Sequence, residues 1–358
     1  MLARLLPIVA AISFLSGCGT QSNFSLALKE PAEATKNAKS LIEDATTDTI
    51  KLKVLRASKD SDPKVKSSVI CGYEMGMLGV EANLDVFATS LEVIKKVGEK
   101  PSDLSYAGYI SQFRKNAKNS AAAADMSDPA GRAKDAIRQH DERVKATAEC
   151  ERLYSADINA SVESSETEKN LGGDPIGVIQ AIDGLLKKVL GLLEAGQREK
   201  VVIDTAKALV PALDEASHTL STGIGKDFGL FVVYKPSGMA AEKEASRLEV
   251  ALSLRRWMIA QTIDQEWKFL KSCTLDCLGD PKKRETLSDL ANNILLYRNL
   301  AKIDTAKILT SLDQSIAKAR DAADGKITSA QLLDGLIGMA DALSDLNDSM
   351  DKYKKSRE

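Results

Sequence analysis

The chain is poor in the residues from which most binding and catalytic surfaces are made. Two histidines in 358 residues leave little for imidazole-based metal or haem sites. Aromatic side chains are 4 % of the total, too few for a broad sugar- or base-stacking platform. Neither sign of charge dominates: lysine plus arginine is 49 and aspartate plus glutamate 51, for a net charge of −2. That balance argues against a nucleic-acid surface, which needs clustered excess positive charge. Period-two alternation and β-branched runs are scarce, so a large sheet is not expected. Glycine-rich phosphate loops, dinucleotide fingerprints, a Gly-x-Ser-x-Gly elbow and the Cys-x-x-Cys-His haem signature are all missing. The sequence therefore names no catalytic residue, no metal ligand set and no cofactor.

What is there is a folded, helix-rich chain. An apolar share of 44 % with 28 % charged residues is ordinary for a protein with a sizeable buried core. Apolar residues recur at three and four, as in Leu41, Ala45 and Leu52, or Ile176, Ile179, Ile182, Leu186, Val189 and Leu193. Asp62-Pro63, Asp128-Pro129, Asp174-Pro175 and Asp280-Pro281 each precede such a pattern. Aspartate caps the free amides of a first helical turn, and proline at the next position sacrifices no hydrogen bond there. Pro31 and Pro101-Ser102-Asp103 read as further starts. The pattern predicts helices over 31–59, 63–98, 102–124, 129–160, 175–195, 197–222, 238–272, 281–323 and 327–356. The expected fold is all-α: an elongated antiparallel bundle of about eight to nine helices. The polar stretch 161–174 reads as a linker between a helical half at 31–160 and another at 175–358.

One segment breaks the helical pattern. Residues 224–238 hold Phe228, Leu230, Phe231, Val232, Val233 and Tyr234 between glycines and a proline, a β-prone apolar run. It is expected to be a short non-helical insertion. It reads either as a loop packed across the end of the bundle or as a partner-docking or membrane-touching finger, with Phe228, Phe231 and Tyr234 the candidates to meet a partner.

The amino terminus carries an address. Arg4 precedes an apolar stretch, Leu5 to Leu15, the length of an export signal and too short to span a bilayer. Leu15-Ser16-Gly17-Cys18 follows, and here the chain resembles the lipobox of bacterial lipoproteins, matching its aliphatic, small, small, cysteine pattern. The resemblance implies that 1–17 is a removable signal peptide. It implies a diacylglycerol thioether on Cys18 and acylation, palmitate in kind, of the new amino terminus. Residues 18–30 would then be a lipidated tether. Gly19, where an aspartate would signal inner-membrane retention, points to the outer membrane, with the body facing the periplasm or the exterior.

Four cysteines remain, Cys71, Cys150, Cys273 and Cys277. An even number in an exported chain reads as disulfides. Three pairings are possible, and Cys71–Cys150 with Cys273–Cys277 keeps each bridge within one half. A loop of roughly 80 residues is worth about 4.5 kcal/mol in the chain-entropy account. Cys273 and Cys277 read as a staple at a helix–helix corner, with a strained redox pair as the sharper alternative.

Other features have structural and functional readings side by side. His140 lies in a charged stretch and reads as a solvated residue. His218 reads as a cation at a helix end, although Glu215-Ala216-Ser217-His218 fits one of the two copies a di-iron bundle needs. Met75 and Met77 are core fillers or copper ligands. Gly72, Gly76 and Gly79 allow close helix packing. Trp257 and Trp267, on one helix with Arg255 and Arg256, anchor core layers or face lipid headgroups.

The function expected from these readings is a membrane-anchored, non-enzymatic partner-binding or structural module of the cell envelope. Its partners are the membrane, through the lipid on Cys18, and another envelope protein, with no nucleic acid. A bundle that binds a small apolar ligand or a metal is the alternative, and a hydrolase the third reading.

Overall fold

The computed structural model describes residues 21–60, 62–73, 129–160, 174–194, 199–224, 245–271, 273 and 279–355. Among them the chain forms nine helices: α1 (Gln21–Ala57), α2 (Pro63–Cys71), α3 (Pro129–Asn159), α4 (Pro175–Glu194), α5 (Glu199–Ser221), α6 (Arg247–Phe269), α7 (Pro281–Ala301), α8 (Thr305–Ala323) and α9 (Ser329–Lys355). A two-residue antiparallel ribbon joins β1 (Gly223–Ile224) to β2 (Ala245–Ser246), pairing Gly223 with Ser246 and Ile224 with Ala245. The fold is an all-α helical bundle.

The aspartate–proline starts work as local chemistry dictates. The Asp62 carboxylate accepts from the Lys64 amide at 2.9 Å, and that of Asp280 from the Lys282 amide at 3.0 Å. Asp174 accepts from the Ile176 amide at 3.1 Å. In each case proline takes the first helical position, where an amide has no helical acceptor.

Four boundaries differ from the pattern reading. First, α1 begins at Gln21, so residues 21–30 are helical and Pro31 lies inside the helix rather than at its start. Leu26, Ala27, Leu28, Lys29 and Glu30 are good helix formers, and Pro31 removes only one internal bond. Second, α2 stops at Cys71 instead of running to 98: Gly72 is extended, at φ −71° and ψ 109°. Third, α6 begins at Arg247 and not near 238, because the Ser246 side chain caps it, accepting from the Glu249 amide at 3.2 Å. Ser246-Arg247-Leu248-Glu249 has the spacing of a capping box. Fourth, 281–323 is two helices. Asp304 starts α8 by accepting from the Lys307 amide at 2.9 Å, a cap without the proline that marks the others. The expected helix 102–124, Met75, Met77, Gly76 and Gly79 lie outside the described residues.

Helices α6 and α7 form the centre. Helix α6 packs on α7, α3, α4 and α5, and α7 on α1, α2, α3 and α9, while α8 pairs with α5 and α9. Because neighbours surround it, α6 buries residues on several faces, among them Leu248, Val250, Ala251, Leu252, Leu254, Ile259, Ala260 and Ile263. One cluster of buried residues runs from Ile50 in α1 to Met350 in α9. The stretches 31–160 and 175–358 thus contribute to a single core.

Candidate functional site

The most organised polar group among the described residues sits where α3, α6 and α7 cross. Asp157 is 2 % exposed and Tyr297 0 %. The Tyr297 hydroxyl donates to Asp157 Oδ2 at 2.8 Å, and Arg256 Nε lies 3.4 Å from the same oxygen. Arg256 also donates to Ser253 Oγ at 3.1 Å. The backbone joins in: Gln261 Nε2 donates to the Asp157 carbonyl at 3.3 Å, and Trp257 Nε1 to the Ala160 carbonyl at 3.2 Å. Tyr154 meets Tyr297 edge-on, ring centroids 5.4 Å apart, and its buried hydroxyl has no hydrogen-bond partner among the described residues.

Burial sets the electrostatics here. It raises the Asp157 carboxyl above the usual range, against the pull of the Arg256 charge and the Tyr297 hydrogen bond. The Tyr297 and Tyr154 hydroxyls are raised for the same first reason, and the Asp157 charge adds to both. A displaced carboxyl beside a tyrosine and an arginine is what general acid chemistry uses, but all three are sealed. No substrate atom reaches them without opening α3 from α6 and α7. The group holds three helices in register.

A second buried cation performs a different task. Arg298 is 2 % exposed. Its Nε donates to the Ile70 carbonyl at 2.6 Å and a terminal nitrogen to that of Val69 at 2.7 Å. These are the last carbonyls of α2, where the helix dipole also favours positive charge. The Tyr73 ring lies 5.5 Å from the Arg298 guanidinium, and its hydroxyl, pushed up to about 12 by burial, donates to the Arg298 carbonyl at 3.2 Å. This explains why α2 ends at Cys71.

The third group is at the α6–α7 seam. Asn293 Nδ2 donates to both oxygens of Glu266, at 2.9 and 3.0 Å. Burial pushes the Glu266 carboxyl up to about 7, and the charge of Asp289 adds to it while Asn293 opposes it.

The residues singled out in the sequence are placed as follows. Cys71 and Cys150 are joined in a disulfide across 79 residues, with alpha-carbons 5.5 Å apart, tying the end of α2 to α3. Cys273 is buried and disulfide-bonded, and its carbonyl accepts from Ser58 Oγ at 2.7 Å. Cys18, Cys277, Phe228, Phe231 and Tyr234 lie outside the described residues. His140 is exposed beside Arg143, 2.9 Å away, and His218 is exposed in the last turn of α5. Ser217 donates to Asp313 at 2.6 Å. Arg256 and Trp267 are buried, and Arg255 and Trp257 are half-buried. No three His, Cys, Asp or Glu side chains converge on a metal position, and no helix is long and apolar enough to cross a membrane, among the described residues.

Asp157, Tyr297, Arg298 and Glu266 were not singled out by motif. The available signal was a charge inside an apolar stripe: Arg298 sits in Ile294-Leu295-Leu296-Tyr297-Arg298-Asn299-Leu300. No family model matches the chain, and neither a curated protein nor a solved structure is similar to it.

Proposed function

We propose that this chain is a lipid-anchored, non-enzymatic module of the bacterial cell envelope that docks another envelope protein. The observation that carries the reading is Leu15-Ser16-Gly17-Cys18 behind a short apolar stretch headed by Arg4. Acyl chains on Cys18 would make attachment effectively permanent, because each buried methylene adds about 0.8 kcal/mol. Gly19 favours the outer membrane. The Cys71–Cys150 bridge supports an oxidising compartment, where such bonds persist. The sealed Asp157, Arg256 and Tyr297 support a structural use of the molecule's buried charge. Phe228, Phe231 and Tyr234, between the two ribbon strands, are the residues proposed to meet the partner.

Metabolic labelling with a tagged palmitate analogue tests the anchor. The native chain should take the label and enter the detergent phase, and Cys18→Ser should do neither and should keep its leader. A Cys18→Ser chain that is labelled and partitions normally would refute anchoring through this residue. A photoreactive side chain at position 231 should give discrete adducts in cells. If positions 228, 231 and 234 all give none while the protein is present in the envelope, they have no docking role.

A further inference from the structure

Four helix ends meet at one corner of the bundle, and we propose that this corner binds an anionic phospholipid surface. The carboxyl end of α1 reaches the end of α6 through the Ser58–Cys273 hydrogen bond. The start of α2 reaches α6 through Lys66, which pairs with Asp264 and lies 5.7 Å over the Trp267 ring. The start of α7 reaches it through Lys282, 5.6 Å over the Phe269 ring.

Phe269 is 45 % exposed, one of few large apolar side chains left to solvent among the described residues. On the segments that meet here Lys59, Lys64, Lys268, Lys271, Lys282 and Arg284 are exposed, Lys268 in an ion pair with Asp264. Across 56–66, 264–271 and 279–285 basic residues outnumber acidic ones nine to six, although acids slightly outnumber bases in the whole chain. Several of the acids are already engaged. Asp62 and Asp280 accept from backbone amides at helix starts, Asp60 accepts from the Asp62 amide, and Asp264 is taken by Lys66 and Lys268.

A ring flanked by lysines suits the headgroup layer: the ring enters the acyl boundary while flexible stems carry ammonium groups to phosphates. Headgroups are fluid and can arrange themselves around cations from four separate segments, whereas a folded acidic partner would have to match them at fixed positions. The inference does not rest on acylation. Helix α1 has 37 residues and is about 55 Å long, so this corner lies far from Gln21 and constitutes a second contact with lipid.

The test uses the chain from residue 18 onward carrying Cys18→Ser, which takes no acyl group and retains every described residue. It is sedimented with vesicles of phosphatidylcholine alone or with phosphatidylglycerol added. Each cation near an anionic surface is worth roughly fivefold in partitioning. Binding should therefore require phosphatidylglycerol and fall steeply with salt. The triple variant Lys271→Glu, Lys282→Glu, Arg284→Glu should lose at least about a hundredfold, the effect of removing three cations before the added repulsion, at unchanged melting temperature. Phe269→Ser should weaken binding without changing its salt slope. Equal binding to both vesicle types, or native-like binding by the triple variant, overturns the proposal. Binding to polyglutamate without binding to either vesicle also overturns it and points to an acidic protein. Should the triple variant unfold, the salt dependence of the unaltered corner and the Phe269→Ser chain decide. Failure here leaves the Cys18 anchor untouched, since no acyl group is present.

Discussion

The side chain of Arg298 and the carbonyl of Ile70, 228 residues apart, are joined by a 2.6 Å hydrogen bond that ends a helix. The guanidinium fork takes the Val69 carbonyl as well. It stands where helix α2 would otherwise leave buried acceptors unpaired, each costing about 1–3 kcal/mol. Arg298→Met should therefore cost about 3–5 kcal/mol in urea unfolding, beyond what the lost packing explains. Arg298→Lys should recover only part, because an ammonium cannot present a planar fork to two carbonyls. If Met and Lys are equally mild, the fork does not hold the end of α2.

The two tyrosines above Asp157 should respond in opposite directions. Tyr297→Phe removes the 2.8 Å bond to the carboxylate and leaves Asp157 less satisfied in a sealed site, for a loss of about 1–3 kcal/mol. Tyr154→Phe removes a buried hydroxyl that has no hydrogen-bond partner among the described residues, and should be neutral or raise stability by up to about 1 kcal/mol. Both variants keep the edge-on ring contact, so packing cancels in the comparison. Thermal melts of the pair check this. A larger loss at 154 than at 297 would contradict the assignment.

Local signals made the helical class readable, and long-range ones limited it. The spacing of Ile176, Ile179, Ile182 and Leu186 put one side of α4 in the core, and each aspartate–proline step among the described residues begins a helix. Both are properties of neighbouring residues. The end of α2 was not readable, because the group that terminates it belongs to α7, far along the chain. The breaks before α6 and α8 were present in Ser246-Arg247-Leu248-Glu249 and in Asp304, but these caps lack proline and stand inside periodic runs. The Asp157 group was invisible for a related reason: a carboxylate on α3 looks solvated until α6 supplies Arg256 and α7 supplies Tyr297.

The Cys71–Cys150 bridge closes a long loop, so its loss should act mainly on the unfolded chain. Replacing both cysteines by alanine should lower stability by about 2–5 kcal/mol, with the helical content of the native state retained. Thiol labelling of the unfolded, unreduced chain should find neither residue free. A double variant that melts at the native temperature would show that the loop is already constrained by other contacts, such as those of Arg298.

Stability should fall as pH rises from about 4.5 to 7, and Glu266 is the group to test. Its carboxyl titrates at about 7 in the folded chain against an ordinary 4.5. The native state therefore keeps a proton that the unfolded chain has already released across that window. The contribution from this group is complete below about pH 4.5, declines through the window and is gone above pH 7. Each tenfold gain in proton affinity on folding corresponds to about 1.4 kcal/mol, and partial solvent contact reduces the whole effect to about 2 kcal/mol. Glu266→Gln fixes the neutral shape and still offers Asn293 an amide oxygen at the same seam. The variant should match the native chain near pH 4 and exceed it by about 1–2 kcal/mol at pH 8. Asp157 is raised too, so it adds a slope of the same sign, while Asp264 opposes it: burial pushes that carboxyl up, but the hydrogen bonds from Lys268 and Lys66 hold it lower. Those two slopes are common to both proteins, so the difference between the two urea profiles reports Glu266 together with its coupling to Asp289. A difference that stays constant from pH 4 to 8 would show that this carboxyl titrates normally in the folded chain.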